Sequence, residues 1–374
     1  MKKAMPQFES DPNFYHGKQE SVGVLIINLG TPDKPTTSSV RKYLREFLSD
    51  QRVVEIPRAL WFCILNFFIL TTRPKKSAKA YKKVWTDEGS PLLVHSQNIV
   101  DVLQKLMDQS HPAPIHIELA MRYGNPSIQS GLEKLRDRGA RKILILPLYP
   151  QYSATTTATS FEKVFDIVKK WRWMPELRFI SSYHDSPAYI QALAKSIQAH
   201  WNKNGKKEHL LMSFHGIPKR NLELGDPYHC YCLVTGRLLA DALKLTNKDW
   251  TLTFQSRFGK AEWLQPYTDE TLKSLPGKGI KSLDVICPGF PADCLETLEE
   301  MNMENREVFI ESGGEEYDYI PALNDSQPHI LALTTLIHQH IAGWPQASKS
   351  WNSIEAEQKL EFSAKRAKVK GAKL

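Results

Sequence analysis

A chain of 374 residues with 41% hydrophobic and 24% charged content is globular in make-up and long enough for two domains, which excludes disorder as its general description. A net charge of +8 allows nucleic acid, an anionic membrane surface or an acidic ligand as partner, so the placement of the charge has to decide. No run reaches the roughly 18–20 apolar residues that cross a bilayer, and residues 1–20 lack the apolar centre of a signal peptide. The first twenty residues are expected to be a flexible N-terminus of a cytoplasmic protein.

Six short runs rich in branched apolar residues end in Gly, Pro or polar clusters: GVLIINLG from Gly23, HIELAMRYG from His116, KILILPLYP from Lys142, HLLMSFHG from His209, TLTFQSRFG from Thr251 and LDVICPGFP from Leu283. Separated by longer amphipathic stretches, they predict parallel strands alternating with helices, an α/β chain. In such sheets ligands bind beyond the carboxyl ends of the strands, so the residues following each run are the candidates for chemistry.

Three signatures recur in order: Gly30-Thr-Pro32 against Gly216-Ile-Pro218, Arg122-Tyr-Gly against Arg257-Phe-Gly, and Pro147-Leu-Tyr-Pro150 against Pro288-Gly-Phe-Pro291. They indicate a duplication, two similar Rossmann-like domains with parallel sheets and a cleft between them. The predicted divisions are 21–182, 183–325, a helix over 326–344 packing back on the first domain, and a basic, disordered tail over 345–374. Gly30 to Arg122 is longer than Gly216 to Arg257, so the first half carries an insertion, placed within about Arg41 to Val94.

That insertion contains ALWFCILNFFIL, Ala59 to Leu70, in which only Asn66 is polar. Six cations and no acid follow: Arg73, Lys75, Lys76, Lys79, Lys82 and Lys83. An apolar patch beside a basic stripe suits a segment resting among the headgroups of an anionic membrane, which makes 59–83 a candidate lip. A buried helix with a solvated basic face is the plainer alternative. The tail adds Lys365, Arg366, Lys368, Lys370 and Lys373.

His215 stands at a predicted strand end before Gly216 and Pro218, where an imidazole can take up and release protons near neutral pH. Glu296, Glu300 and Glu304 recur every four residues in a predicted helix that opens at another strand end. Like charges on one helical face repel, and a bound cation relieves them, so the line is a path for a divalent metal or for protons. A solvated acidic face is the ordinary alternative. Gly225-Asp226-Pro227-Tyr228 and Gly124-Asn125-Pro126 read as turns. Of the five cysteines, Cys63, Cys230, Cys232, Cys287 and Cys294, only one pair is close, which argues against an iron–sulfur site and against a disulfide framework. Phosphate loops of the GxGxxG or Walker type are absent from the sequence.

NLGTP at Asn28–Pro32, SFHGIP around His215, GDPY at 225–228, TFQSRFG with EWLQPYTDET over 253–271, and CPGFPADCLETLEE over 287–300 together resemble ferrochelatase, most closely the enzymes of Gram-negative bacteria. The resemblance runs from about Gly23 to Leu323. It implies a two-domain chelatase fold that takes protoporphyrin IX and Fe²⁺ as substrates, forms protohaem with release of two protons, and needs no permanent cofactor. It implies that His215 accepts pyrrole protons or delivers iron, that Glu296 faces it across the ring, and that Glu300 and Glu304 continue the path. Asn28, Tyr81, Ser90, Arg122, Tyr123 and Trp61 are implied to line the porphyrin pocket or hold its propionates. Cys294 stands where some relatives carry histidine. A chelatase for another metal and tetrapyrrole, and a porphyrin carrier without turnover, are the competing readings. Nucleic acid is not expected, because the cations cluster beside an apolar run and in a tail rather than along a groove.

Overall fold

The computed structural model describes residues 8–372. Its first half runs β1 (Ser21–Thr31), α1 (Thr37–Ser49), α2 (Arg58–Ile64), a π-helical turn (Leu65–Ile69), α3 (Leu70–Val84), α4 (Pro91–Ser110), β2 (Ile115–Gly124), α5 (Ile128–Asp137), β3 (Ala140–Pro147), a second π turn (Ala154–Ala158), α6 (Thr159–Val168), β4 (Glu176–Phe179) and α7 (Pro187–Asn204). The second runs β5 (His209–His215), α8 (Lys219–Glu223), α9 (Tyr228–Ala242), β6 (Trp250–Gln255), α10 (Thr268–Ser274), β7 (Ser282–Ile286), a π-helical segment (Glu296–Glu304), α11 (Asn305–Glu311), β8 (Glu316–Tyr319) and α12 (Gln327–Ile341).

Both sheets are parallel, with orders β2-β1-β3-β4 and β6-β5-β7-β8, so the second repeats the first strand for strand. The matched signatures explain themselves at the strand ends. A Cβ on Gly30, whose φ is +116°, would lie 1.8 Å from the Tyr123 carbonyl oxygen, and one on Gly216 would lie 2.9 Å from that of Gln255. In each half the central strand passes too close to its neighbour for a side chain.

Apolar residues of β1, α4, α7, β5, α9 and α12 merge into one core shared by the halves. The helix that ends each half crosses to the other: α7 packs on α9, and α12 on α4 and β3. The contact between the halves is therefore a shared helical interior. An open cleft can form only beyond the strand ends.

The insertion is α1 to α3. Pro74 in α3 has no N–H to offer the carbonyl of Leu70, and Arg41 Nε donates to that oxygen at 3.0 Å instead, so the helix continues through the proline. Trp61, Leu65 and Leu70 are buried beneath the segment with Tyr43 and Tyr123, each worth roughly 1.5–3 kcal/mol of transfer free energy. Leu60, Phe62, Phe67 and Phe68 face outward, all more than half exposed.

Two termini differ from expectation. Residues 1–7 lie outside the described part of the expected flexible segment, but 8–20 are tied down: Glu9 pairs with the backbone of Lys170 and Arg172, and Asp11 meets Arg141 at 2.8 Å with both side chains buried. The tail is helical rather than disordered over α13 (Ser353–Val369), because Asn352 caps it, Glu355 complements its first turn, and Arg366 and Lys368 its last. Lys373 lies outside the described residues. Among the described residues no helix is long and apolar enough to cross a membrane.

Candidate active site

His215 is the last residue of β5, paired in register with Gln255 at the end of β6. Its Nδ1 lies 2.6 Å from the Gly216 carbonyl oxygen. A carbonyl only accepts, so Nδ1 carries a proton, and in the neutral ring Nε2 is the nitrogen with the lone pair. The backbone of His215 is held in turn, since Tyr228 donates its hydroxyl to the His215 carbonyl at 2.9 Å. The GDPY turn is more than a loop: Asp226 accepts from Ser153 Oγ at 2.9 Å and the Ala154 N–H at 2.8 Å, tying the turn that carries Tyr228 to the first half.

Glu296 opens the π-helical segment beyond β7, the strand next to β5. Gln255 links the two places. It accepts from Ser213 Oγ at 2.8 Å and donates to the Glu296 carbonyl at 3.1 Å, lying also 3.4 Å from Glu300 Oε2. The imidazole and the carboxylates thus rise from one edge of one sheet, and the first half supplies the facing wall. Burial first, and then the nearby Glu296 charge, push the Cys294 thiol well up.

Glu300 lies deeper. Burial pushes its carboxyl up to about 7 against a hydrogen bond from Ser256 Oγ, and the Glu296 charge adds to the rise. Ser256 reaches it from a left-handed backbone, φ +66°. Glu304 is exposed, and with Glu300, Gln255, Ser256, Arg257 and Asp269 it lines a pocket of about 280 Å³. The three expected carboxylates therefore run from partly buried to solvent.

The wall comes from α3. Tyr81 is buried beside Glu296, its phenol driven well up first by burial and then by that charge. Arg73 also approaches Glu296 and lies over the Phe258 ring at 4.4 Å, and Lys83 pairs with Glu299 at 2.7 Å. Two of the six stripe cations are thus turned to the second half, which leaves Lys75, Lys76, Lys79 and Lys82 on the exposed face.

The expected porphyrin contacts of the first half are placed in the core and in a bonded network. Trp61 is core: its indole donates to the Leu48 carbonyl at 2.6 Å and anchors the lip from below. Tyr123 is fully buried, with its hydroxyl on Asp50 Oδ2 at 2.9 Å. Arg122 is committed to the same carboxylate at 2.5 Å and to the Thr159 carbonyl at 3.0 Å. Burial alone would raise the Asp50 carboxyl, but hydrogen bonds from Thr159, the Arg52 backbone and Tyr123, with the Arg122 charge, hold it below the usual range. Asn28 donates to Ser96 at 3.0 Å and Thr31 to Ser90 at 2.8 Å, binding the end of β1 to α4. These groups bond to one another, and two of the three Arg122 nitrogens are engaged within the network.

Gln255, Ser256, Asp50 and Thr159 were not singled out from sequence, and Arg73 was read only as one cation of the basic stripe. Gln255 and Ser256 had a signal, standing at a strand end inside TFQSRFG. Asp50 and Thr159 had none, being brought together across 109 positions.

The sequence model of the family described as ferrochelatase matches residues 21–341. The chain belongs to the ferrochelatase family. It is 53% identical over 367 residues to a ferrochelatase of Thioalkalivibrio sulfidiphilus, covering 98% of this chain and all of that one, and 53% identical over 359 residues to that of Marinobacter nauticus, covering 96% and 97%. Among solved structures it is similar to SirB from Bacillus subtilis with Fe³⁺, at a TM-score of 0.51 and 11% identity over 86% of this chain and 96% of that one, which supports the fold alone. The chain is a metal chelatase of haem synthesis, inserting ferrous iron into protoporphyrin.

Proposed function

We propose that His215 Nε2 accepts protons from the pyrrole nitrogens while Glu296, backed by Glu300 and Glu304, conducts the departing protons to solvent from the same sheet edge. The observation that carries this division is the Glu300 carboxyl at about 7, behind Glu296 and next to an open pocket. A group with that affinity takes and gives a proton at neutral pH at little cost. The macrocycle lies against Leu29, Ile69 and Leu295, partly buried apolar residues that pack on the core beneath the lip. Asn28, Tyr81, Ser90 and Arg122 act beneath it as a rigid floor. Chemistry of this kind needs no resident cofactor, because iron arrives as substrate and leaves in the product.

We further propose that Leu60, Phe62, Phe67 and Phe68, beside the four exposed lysines, rest in the headgroup layer at the cytoplasmic face of a membrane and pass the apolar tetrapyrroles across the lip. The test of the site is the Soret and visible spectrum on mixing protein, protoporphyrin IX and Fe²⁺ or Zn²⁺. Glu296→Gln should slow metallation roughly 10²-fold with porphyrin binding retained, and an unchanged rate would remove Glu296 from the path.

A further inference from the structure

We infer that His200, Asp284 and Asp318 form a second divalent-metal site, built for a four-coordinate first-row ion such as Zn²⁺ and separate from the metallation centre. His200 Nε2 lies 3.7 Å from Asp284 Oδ1 and 3.8 Å from Asp318 Oδ2, and the three atoms fall within 4.8 Å of one another. Those separations are too long for hydrogen bonds. They are close to the roughly 3.3–3.6 Å that separates tetrahedral ligands bound at about 2.0–2.2 Å, the lengths of Zn–N and Zn–O bonds.

Asp284 carries the second, independent observation. Its side chain is 1% exposed, and its two oxygens are treated differently. Oδ2 accepts from the Trp201 indole at 2.6 Å and from the Lys207 N–H at 3.0 Å. Oδ1, the oxygen turned to His200, is buried with no hydrogen-bond partner. A buried carboxylate oxygen without a donor is costly, and a cation is the partner this one lacks. Two donors holding one oxygen so that the other is presented is the outer-shell arrangement of a metal carboxylate.

The other groups fit the same picture. Asn204 Nδ2 lies 3.1 Å from His200 Nδ1 and 3.3 Å from Nε2, so ligation requires the amide to rotate; with its oxygen towards the ring it would accept the Nδ1 proton and leave Nε2 for the ion. Lys207 stands 3.4 Å from Asp318 Oδ2 and pairs with Glu316, so it is the cation the ion would compete with for Asp318 but not for Asp284. Asp318 is one third exposed, which leaves a side open for a fourth, solvent ligand. One imidazole with two carboxylates suits a borderline transition ion better than Mg²⁺ or Ca²⁺.

The ligands come from α7, β7 and β8, with Asp284 and Asp318 directly paired across the sheet. The ion would pin the crossing helix α7 to the second sheet. Asp284 is in register with Leu210, five residues before His215 on β5. At about 3.3 Å per residue the site is roughly 16 Å along the sheet from the reacting edge, so metal bound here serves structure.

The test uses the full-length, porphyrin-free protein titrated with Co²⁺ and Zn²⁺. The wild type should bind one tight equivalent with the strong visible d–d absorption of four-coordinate Co²⁺ and melt at higher temperature with Zn²⁺. His200→Ala and Asp318→Asn should bind that equivalent at least roughly tenfold more weakly and lose the Zn²⁺-dependent rise, with metallation rates unchanged. Glu296→Gln should keep both signatures, which separates this site from the metallation centre. Should His200→Ala fail to fold, the isosteric and partly exposed Asp318→Asn carries the test alone. Identical Co²⁺ spectra and stoichiometry in wild type and Asp318→Asn would overturn the inference, as would a wild type without four-coordinate bands.

Discussion

The two halves share one strand order, yet their carboxyl edges are used in opposite ways. In the first, Asn28, Ser90 and Tyr123 are buried, Arg122 is nearly so, and all are bonded to partners within the same half. In the second, His215 keeps a free Nε2, and Glu296 and Glu300 form a partly open carboxylate line. A duplicated scaffold carries a bonded wall with a lip on one side and the proposed reacting groups on the other. Gly30 and Gly216 remain equivalent while the residues beside them diverge, because close strand approach constrains the scaffold and leaves the edge free to change.

Breaking the wall should cost stability rather than chemistry. Arg122→Ala leaves the Asp50 carboxylate buried without its cation, and denaturant unfolding should show a loss of about 3–5 kcal/mol. Turnover per folded molecule should fall only a few-fold; a loss of activity without a loss of stability would instead give Arg122 a direct role on substrate.

The reacting edge should show the reverse dependence on pH. A carboxyl raised to about 7 in the fold favours folding fully only below its unfolded value of about 4.5, and that contribution is lost as pH rises through 7. The difference is on the order of 3 kcal/mol. Glu300→Gln should therefore match the wild type in melting temperature near pH 5 and exceed it near pH 8, while its pH–rate profile loses a limb near neutrality. Equal melting curves at both values would contradict the buried, shifted carboxyl.

The lip should give the smallest effect on chemistry. Phe67→Ser with Phe68→Ser should leave turnover on detergent-dispersed porphyrin within roughly twofold and weaken binding to anionic vesicles. Unchanged vesicle flotation would leave the exposed phenylalanines without the proposed surface.

Much of this was legible in the sequence. Six of the eight strands stand out as branched apolar runs because they lie inside the sheets or are long enough to show it. β4, ELRF, and β8, EYDY, do not, since each is a four-residue edge strand with charges facing solvent. The carboxylate line was visible as a four-residue spacing, but its form was not. The segment is π-helical with i→i+5 bonds, so the acids step around it, and Glu300 turns inward as Glu304 turns out. The Arg122 network was hidden because Asp50 comes from the insertion and Thr159 from α6, and nothing local announces their meeting. The burial of Trp61 was hidden for a related reason: in a run apolar on every side, only the fold decides which ring faces in.

The central claim, that chemistry resides on the second sheet's edge, is tested most directly by His215→Ala, with porphyrin binding and Fe²⁺ insertion measured separately on the same preparation. The account predicts binding within a few-fold of wild type and insertion slowed roughly 10²–10⁴-fold. Near-normal insertion would contradict it.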